Sequence, residues 1–525
     1  MTALPFTAPS QDEPAFTPPP ASESPSWLAH QLPAGWLIAA LLLWLGLDQL
    51  LLWRFLDIMP VWAYPLGMLL IVGLCVATVR AMPDHRGPTV AILIACLAVA
   101  LILLMLGGEG HFFYANIDWQ VRFAVLRDMG LHPWPFVYGD QPVPALLRAP
   151  IGMFLVPALA AKAAGDRAGD LALLIQNSLM LAAMLSLGAT LFDTRRARLI
   201  ALLIFLAFSG LDALGRMLFR GGLSDHLENW AYLQYSSTIT LAFWVPNHAL
   251  SGWIGALGYL LWRRDRLPLA TYLSLLPLTA LWSPLGLMGA MPFAALAAIR
   301  TLRQCALAPA TLLYPALATL LAVPGLAYMS AAPADVGARI VALAPLQWGL
   351  FELLEVLVYA LPLAWLGRSN RFGLDTLLVA TAWLLLIPFV QIGWSTDFMM
   401  RGSISALAIL AVMLVDALGQ GGMGRRWLIA MLLIGSITGL AEIRRALAYP
   451  AAPQVRCSFS GAWDQSFGSF PKGSYLAPLP AMPAWVRPAN PARIHSVDPT
   501  RCWDGAWHHP DKPDAPTSDR QDRVE

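Results

Sequence analysis

Long apolar stretches recur along this chain of 525 residues, and each is close to the length that a helix needs to cross a bilayer. Charged residues make up 13% of the chain, against about 25% in soluble domains. The pattern predicts an all-α fold, a polytopic bundle of about 13 transmembrane helices with short re-entrant or juxtamembrane helices and a small outer C-terminal tail. The stretches cover residues 34–53, 61–79, 89–107, 170–191, 198–216, 239–262, 267–281, 284–299, 310–329, 345–366, 374–393, 403–418 and 426–447.

The two ends of the chain differ in composition from the bundle at 34–447. Residues 1–33 are rich in Pro, Ser and Ala and have no early apolar run, so we expect a disordered cytoplasmic tail and not a signal peptide. Residues 448–525 combine many prolines with four Trp. This composition predicts a loop-rich extracytoplasmic tail that lies on the bundle, with disorder after about residue 510.

Arginines in short loops set the expected orientation, because they resist translocation. The basic loops can share one side only if a short apolar run at 150–165 does not cross, so we expect that run to be re-entrant or interfacial. The N-terminus then lies in the cytoplasm of a bacterium, the C-terminus lies in the periplasm, and 108–149 and 217–238 are outer loops. The alternative is that one basic loop lies outside the cytoplasm, against the positive-inside rule. The loops lie near residues 80–86, 195–198, 263–266, 300–303, 368–371 and 425–426.

Two cysteines, Cys457 and Cys502, lie in the outer tail. An oxidising compartment would allow them to form a disulfide, and two free thiols are the alternative.

Composition and missing motifs exclude some functions. A net charge of +2 gives no broad basic field, so nucleic acid is not an expected partner. The sequence has no P-loop, Rossmann, GxSxG, CxxC or kinase motif, which disfavours nucleotide-driven chemistry.

The first outer loop contains a predicted helix at 117–129 that would lie at the membrane surface, with Asn116 as its N-cap. Asp118 and Arg122 stand four residues apart and share a face. Asp118 either complements the helix dipole and pairs with Arg122, or takes a proton from an acceptor hydroxyl while Arg122 or Arg127 binds a phosphate.

The second outer loop and the span after it also contain polar residues. Asn247 and His248 within an apolar span indicate either a polar cavity or an interhelical contact. Asp225, His226 and Glu228 are of the types that bind metals, but no known metal-ligand spacing is present. We therefore expect no cofactor, with a divalent metal as the alternative.

A third polar group lies between two late spans. Asp397 and Arg401 share a face if this turn is helical. A guanidinium there suits a lipid phosphate, and an interfacial anchor is the alternative.

The order of these parts resembles the polytopic C-type glycosyltransferases (GT-C superfamily), and a group of uncharacterised bacterial membrane proteins of that general type. The resemblance covers roughly residues 90–447. It rests on a span, an acidic outer loop with a surface helix, a short apolar helix, many further spans and an outer tail. The sequences that carry it are Tyr114–Trp119, Arg127–Asp128, Pro133–Pro135, Gln234–Ser237, Trp244–Asn247 and Asp397–Arg401.

The resemblance implies transfer of a sugar from a polyprenyl-phosphate donor to a glycan or lipid acceptor outside the cytoplasm, within reach of membrane lipid. The catalytic acid of the family would fall on Asp118, with Glu109 as the second candidate. The arginine that binds the lipid phosphate would be Arg401, Arg122 or Arg127. The acidic loop follows the third span here and the first span in the family, which indicates two added N-terminal helices.

Other function classes remain alternatives. A transporter or flippase of a lipid-linked glycan needs charged residues deep in its spans. Asp48 is the clearest such residue, and most other acids are expected in loops. A non-catalytic scaffold for polysaccharide assembly would tolerate loss of Asp118 and Arg401. An outer-face acyltransferase would have to use His226 or His248.

Overall fold

A computed structural model describes residues 27–82, 86–224, 226–305, 307–332, 337–366, 371–394, 396–419, 423–495, 497–504 and 507. Within these ranges nine helices are long and apolar enough to cross a bilayer. They are Ala34–Leu56, Ala63–Ala81, Asp166–Ala189, Arg195–Arg220, Pro284–Arg303, Pro309–Met329, Pro345–Trp365, Asp397–Gly419 and Gly424–Ala448. The chain is therefore a helical membrane protein, as the apolar runs predict.

Four of the thirteen predicted spans are not among these nine helices. The runs at 89–107, 267–281 and 374–393 form shorter apolar helices, and the run at 239–262 is broken. The α-helices in chain order are α1 Ala34–Leu56, α2 Ala63–Ala81, α3 Val90–Leu106, α4 Ile117–Leu131, α5 Gly152–Ala164, α6 Asp166–Ala189, α7 Arg195–Ala207, α8 Asp212–Arg220, α9 Thr238–Trp244, α10 Pro246–Arg263, α11 Leu269–Thr279, α12 Pro284–Arg303, α13 Pro309–Met329, α14 Pro345–Glu352, α15 Val358–Leu366, α16 Leu374–Leu386, α17 Asp397–Gly402, α18 Ile404–Gly419, α19 Met423–Ala448 and α20 Phe459–Phe467.

Small β-sheets join segments that are distant in sequence. The strands are β1 Gln31–Pro33, β2 Arg86–Thr89, β3 Phe136–Tyr138, β4 Ala145–Leu147, β5 Ala338–Ile340, β6 Val390–Ile392, β7 Leu476–Pro478 and β8 Ala492–Ile494. The largest sheet has the order β7-β4-β3-β8, with β3 and β8 parallel and the other pairs antiparallel. Two strands come from the first outer loop and two from the tail, so the all-α expectation missed the element that joins loop and tail.

The bundle has two chemically different ends. At one end, here the arginine face, Arg371 binds Asp416, and Arg263 and Arg300 both bind Asp375. Further members of this face are Arg198 and Arg266, with the β1–β2 pair beside them. At the other end, here the tail face, the tail packs on the first outer loop. Arginines from four of the predicted basic loops, those at 195–198, 263–266, 300–303 and 368–371, thus lie at one end.

Helix α5, the doubtful apolar run at 150–165, has both ends toward the tail face. Gly152 N–H donates to the Leu281 carbonyl in the turn after α11, and Lys162 bonds the carbonyls of Gly130 and His132 beyond α4. Gly130 permits this packing, because a Cβ there would lie 2.6 Å from the Ala161 Cβ. Both ends of α5 are thus bonded to segments near the tail face.

Two expectations for local structure were wrong. Strand β1 lies inside the segment 1–33 that was expected to be disordered, and it pairs with β2. Helix α4 was expected at the membrane surface, but its residues are mostly buried because α5, α6 and α20 pack around it. The apolar side of α4, which the sequence predicted to face the membrane surface, is covered in part by helix α20 of the tail. The predicted disorder after residue 510 falls outside the described residues.

Candidate functional site

The site begins at a break in the predicted span 239–262. Pro246 has no N–H, so the helix ends at Trp244 and α10 starts afresh. The break leaves the backbone carbonyls of Phe243 and Trp244 free to accept hydrogen bonds from side chains at and after the start of α4. Asn116 Nδ2 and Trp119 Nε1 donate to the Phe243 carbonyl at 3.0 and 2.8 Å, and Arg122 donates to the Trp244 carbonyl. Helix α4 is thereby fixed against the broken span.

Asp118 occupies the first turn of α4, where the Asn116 side chain accepts its N–H at 3.0 Å, as the predicted N-cap requires. Asp118 Oδ2 lies 3.4 Å from an Arg122 guanidinium nitrogen. The Asp118 side chain is 29% exposed and the Arg122 side chain 5%. The carboxylate thus faces open space while the guanidinium is held in the protein.

A second pair of the same kind lies on α17. Arg401 donates to Asp397 Oδ1 at 2.5 Å, as the spacing of four predicts for a helix. Helix α17 packs on α12 so closely that a Cβ at Gly289 would lie 2.2 Å from the Gly402 carbonyl oxygen. Trp383 Nε1 also donates to that oxygen at 2.8 Å. These contacts hold Arg401 in place.

The start of α10 brings Asn247 and His248 to the same region. Asn247 Nδ2 donates to the Trp282 carbonyl at 3.0 Å, and His248 Nδ1 lies 2.7 Å from Ser283 Oγ. His248 is within electrostatic range of Arg401 and Arg122. The two side chains make the interhelical contacts that were one of the two expectations, and they also border the cluster of charges. The first N–H groups of α10 add a positive helix end.

Tyr475 from the tail links the two charged pairs. Its hydroxyl lies beside Arg122 and within electrostatic range of Asp118 and Arg401. Nearby, Phe470 packs on Trp394 with ring centroids 5.0 Å apart. The tail therefore forms one wall of the site. We call Asp118, Arg122, His248, Asp397, Arg401 and Tyr475 the charged cluster.

Two predicted site residues lie apart from the cluster. Arg127 turns away from Arg122 and binds Asp128 and Asp166, each at 3.8 Å. Glu109 is fully buried behind α4, where Asn177 donates to it at 2.9 Å. Burial raises the pKa of Glu109 to about 8, although Asn177 and Arg122 oppose this shift. A carboxyl that is protonated at neutral pH is a poor general base, so Asp118 is the better candidate.

The tail is anchored beneath the cluster by a disulfide and a buried acid. Cys457 and Cys502 are joined in a disulfide. Asp128 Oδ2 accepts from Tyr138 Oη and from the Phe459 N–H, each at 2.8 Å. Burial raises the pKa of Asp128 to about 7, while these bonds and Arg127 lower it.

The suggested metal ligands of the second outer loop have other partners. His226 Nδ1 lies 3.1 Å from Glu442 Oε1, and Glu228 accepts from Ser237 N–H at 2.9 Å and Gln234 at 2.7 Å. Among the described residues, which leave out Asp225, no three or more His, Cys, Asp or Glu side chains are grouped as metal ligands.

Asp48 is not the only acid buried within a candidate span. Asp212, Glu352, Glu355 and Glu442 are buried within candidate spans. Asp212 lies where α7 gives way to α8, and Glu355 lies in a π-helical turn between α14 and α15. The two buried carboxyl groups lie beside each other. Gly210 makes room, because a Cβ there would collide with Glu355 Oε2.

Sequence reasoning missed Tyr475 and the Asp212–Glu355 pair. Tyr475 lies far along the chain from Arg122, and no local pattern marks it. The signal available for Asp212 was an acid at a break in a predicted span, between α7 and α8. Polar side chains are common where backbone hydrogen bonds of a transmembrane helix are interrupted.

Comparison with known proteins gives no assignment: no family model matches the chain, and no curated protein or solved structure shows significant similarity to it.

Proposed function

We propose that the protein is a membrane glycosyltransferase that moves a sugar from a polyprenyl-phosphate donor to a glycan or lipid acceptor on the tail face. The observation that carries this proposal is the charged cluster. It combines a partly exposed carboxylate, two held guanidiniums and a helix amino end beside a broken span. A hydroxyl acceptor needs the carboxylate, and a phosphate leaving group needs the cations.

Charge balance supports Asp118 as the general base. At rest the Asp118 and Arg122 charges cancel. The acceptor oxygen attacks the anomeric carbon as its proton passes to Asp118, and the bond from that carbon to the phosphate oxygen breaks. Asp118 is then neutral, so the positive charge of Arg122 is available to the polyprenyl phosphate that leaves. The same step thus removes one negative charge and creates another beside Arg122.

Arg401 would bind the donor phosphate before the reaction. It lies beside the start of α10, whose first N–H groups favour an anion. The Arg401 side chain is only 16% exposed, so the surrounding protein holds its guanidinium in place before the donor binds. A donor attached to a lipid fits a site at the end of a transmembrane bundle.

The proposed topology has thirteen crossings, with 150–165 re-entrant. The arginine face lies in the cytoplasm of a bacterial inner membrane, because positive loops resist translocation. The tail face and its disulfide lie in the periplasm, where disulfides persist.

The buried Asp212–Glu355 pair favours a second candidate, a proton-coupled transporter of a lipid-linked glycan. Two interrupted spans meet at this pair, and ionisable groups at such breaks mark ion pathways in membranes. A transporter would depend on Glu355 and not on Asp118.

Deletion of the gene followed by rescue tests both candidates. Mass spectrometry would measure surface glycans and lipid-linked intermediates after rescue with wild type, Asp118→Asn or Glu355→Gln at equal membrane abundance. Loss of one sugar residue that wild type restores and Asp118→Asn does not supports the transferase. Full rescue by Asp118→Asn contradicts it, and failure of Glu355→Gln alone favours the transporter. Full rescue by both variants is the result expected of a scaffold.

A further inference from the structure

A polar chamber and an apolar groove meet on the arginine face, away from the charged cluster. The chamber is a partly open recess of about 630 Å³, and its polar wall is formed by Gln31, Thr89, Thr190, Asp193, Arg198 and Arg266. The groove is an open recess of about 1910 Å³ between α3 and α7, over a floor of α6, α10 and α18. Thr89, Ile92 and Arg198 line both spaces, so the two are continuous.

The groove is apolar along its length and charged at one end. Its walls include Val99, Leu181, Phe205 and Leu260, whereas Arg195 and Arg198 stand where it meets the chamber. Along α3 it runs from Thr89 to Val99. Ten residues of helix rise about 15 Å, which is half of the roughly 30 Å hydrocarbon thickness. The groove therefore matches the depth of one leaflet.

The charges of the chamber favour an anionic headgroup. Arg198 donates to the Phe192 carbonyl at 2.8 Å, and Arg266 donates to the Thr190 carbonyl, which fixes both side chains beside the chamber. Asp193 is 85% exposed and lies 3.8 Å from Arg266, so it offsets one cation in part. Arg195 adds a further positive charge at the groove.

We propose that the chamber and groove form a binding site for one anionic phospholipid from the leaflet on the arginine face. Its phosphate contacts Arg198 and Arg266, and its acyl chains lie in the groove. Basic pockets between transmembrane helices recognise anionic headgroups in this way. The site is separate from the charged cluster and does not depend on the proposed transferase activity.

Native mass spectrometry of the full-length protein in detergent tests this site. The protein is titrated with phosphatidylglycerol or phosphatidylcholine, and the retained lipid is counted. We expect one phosphatidylglycerol to be retained at about tenfold lower lipid concentration than phosphatidylcholine, because Arg198 and Arg266 each favour an anionic lipid about fivefold and Asp193 offsets part of this preference. Arg198→Gln with Arg266→Gln should remove that preference. Arg303→Gln, an exposed arginine at the end of α12, is the control and should keep it.

Blocking the groove provides an independent test. A Cβ at Gly188 meets only Leu257 Cδ1, at 3.9 Å, so Gly188→Phe projects into the groove without a backbone clash. It should abolish retention of the lipid. Gly73→Phe adds the same ring on α2, where a Cβ meets nothing within 4 Å, and should leave retention unchanged.

Two results would overturn the proposal. One is undiminished phosphatidylglycerol retention by Gly188→Phe. The other is equal retention of the two lipids by wild type, with no effect of the Arg198 and Arg266 substitutions.

Discussion

The Arg371–Asp416 pair on the arginine face and the two ion pairs of the charged cluster use the same residue types in opposite ways. On the arginine face the guanidinium of Arg371 is the more exposed partner, 24% against 15% for Asp416, and it binds both carboxylate oxygens. In the charged cluster on the tail face the carboxylates are the more exposed partners: 29% for Asp118 against 5% for Arg122, and 28% for Asp397 against 16% for Arg401.

The difference shows which pairs are available for chemistry. The Arg371–Asp416 pair is closed, since Arg371 also donates to the Leu191 carbonyl at 2.7 Å and thereby ties three segments together. In the Asp118–Arg122 pair the protein holds the cation and leaves the carboxylate accessible. A base must reach its substrate, so only the second arrangement suits proton transfer.

Asp118→Asn should have the largest effect on activity. Loss of a general base lowers a rate by about 10²- to 10⁴-fold. The N-cap and most of the packing of α4 remain, so the melting temperature should change little. The rate of sugar transfer and the melting temperature are measured together.

Asp416→Asn is the matched control on the arginine face. It breaks a closed pair and should lower the melting temperature while leaving the rate per folded molecule unchanged. If both variants lose only stability, the distinction between the two ends fails.

Arg401→Lys should have the next largest effect. Lysine keeps the charge but loses the planar fork that donates to Asp397 and to a phosphate. Loss of charged hydrogen bonds of this kind corresponds to about a 10- to 100-fold fall in kcat/KM for the donor, mostly through KM. Steady-state kinetics with the lipid-linked donor measure it. Equal kinetics for Arg401→Lys and Arg371→Lys would contradict a phosphate role for Arg401.

Tyr475→Phe should reduce activity by about 2- to 10-fold, the range for one lost hydrogen bond. The hydroxyl lies beside Arg122, so its loss should loosen the guanidinium and lower kcat more than it raises KM. Tyr328→Phe is the control. Its hydroxyl donates to the Leu147 carbonyl of β4 at 2.6 Å and should affect stability alone. Equal losses of activity in the Tyr475→Phe and Tyr328→Phe variants would contradict a role for Tyr475 in the site.

The smallest expected effect concerns pH and the attachment of the tail. Burial raises the pKa of Asp128 to about 7, so the folded state binds a proton that the unfolded state has released above about pH 4. This contribution to stability is present at low pH and is lost as pH rises through 7. Melting temperatures from pH 5 to 8 should fall for wild type.

Asp128→Asn should make that dependence shallower, and Glu109, whose pKa burial raises to about 8, should account for part of the remaining slope. Both bonds to Asp128 fall on Oδ2, which an asparagine oxygen can replace, so the tail stays attached. An unchanged slope for this variant would assign the pH dependence to another group.

The sequence predicted the local parts of the site and missed its long-range parts. The Asn116 cap and the two pairs at a spacing of four follow from helix geometry, and the structure contains them. Helix geometry also separates Arg127 from Arg122 by about 140°, so the two could not share a target.

The other features depend on contacts between segments that are distant in the chain. The sheet β7-β4-β3-β8 pairs the tail with the first outer loop, and this pairing buries α4 and delivers Tyr475. Strands of three residues carry almost no periodicity, so composition predicted only a loop-rich cap. Likewise, Asp212 and Glu355 become a pair only when two broken spans meet.

The most direct test of the proposed function is release of the carrier lipid by the purified protein. Membranes from a deletion strain should accumulate the unused lipid-linked donor, and mass spectrometry would measure free polyprenyl phosphate after the protein is added. We predict release with wild type and Asp416→Asn, and at least a hundredfold slower release with Asp118→Asn. Release by Asp118→Asn at the wild-type rate, or no release by wild type, would contradict a transferase that uses Asp118 as its base.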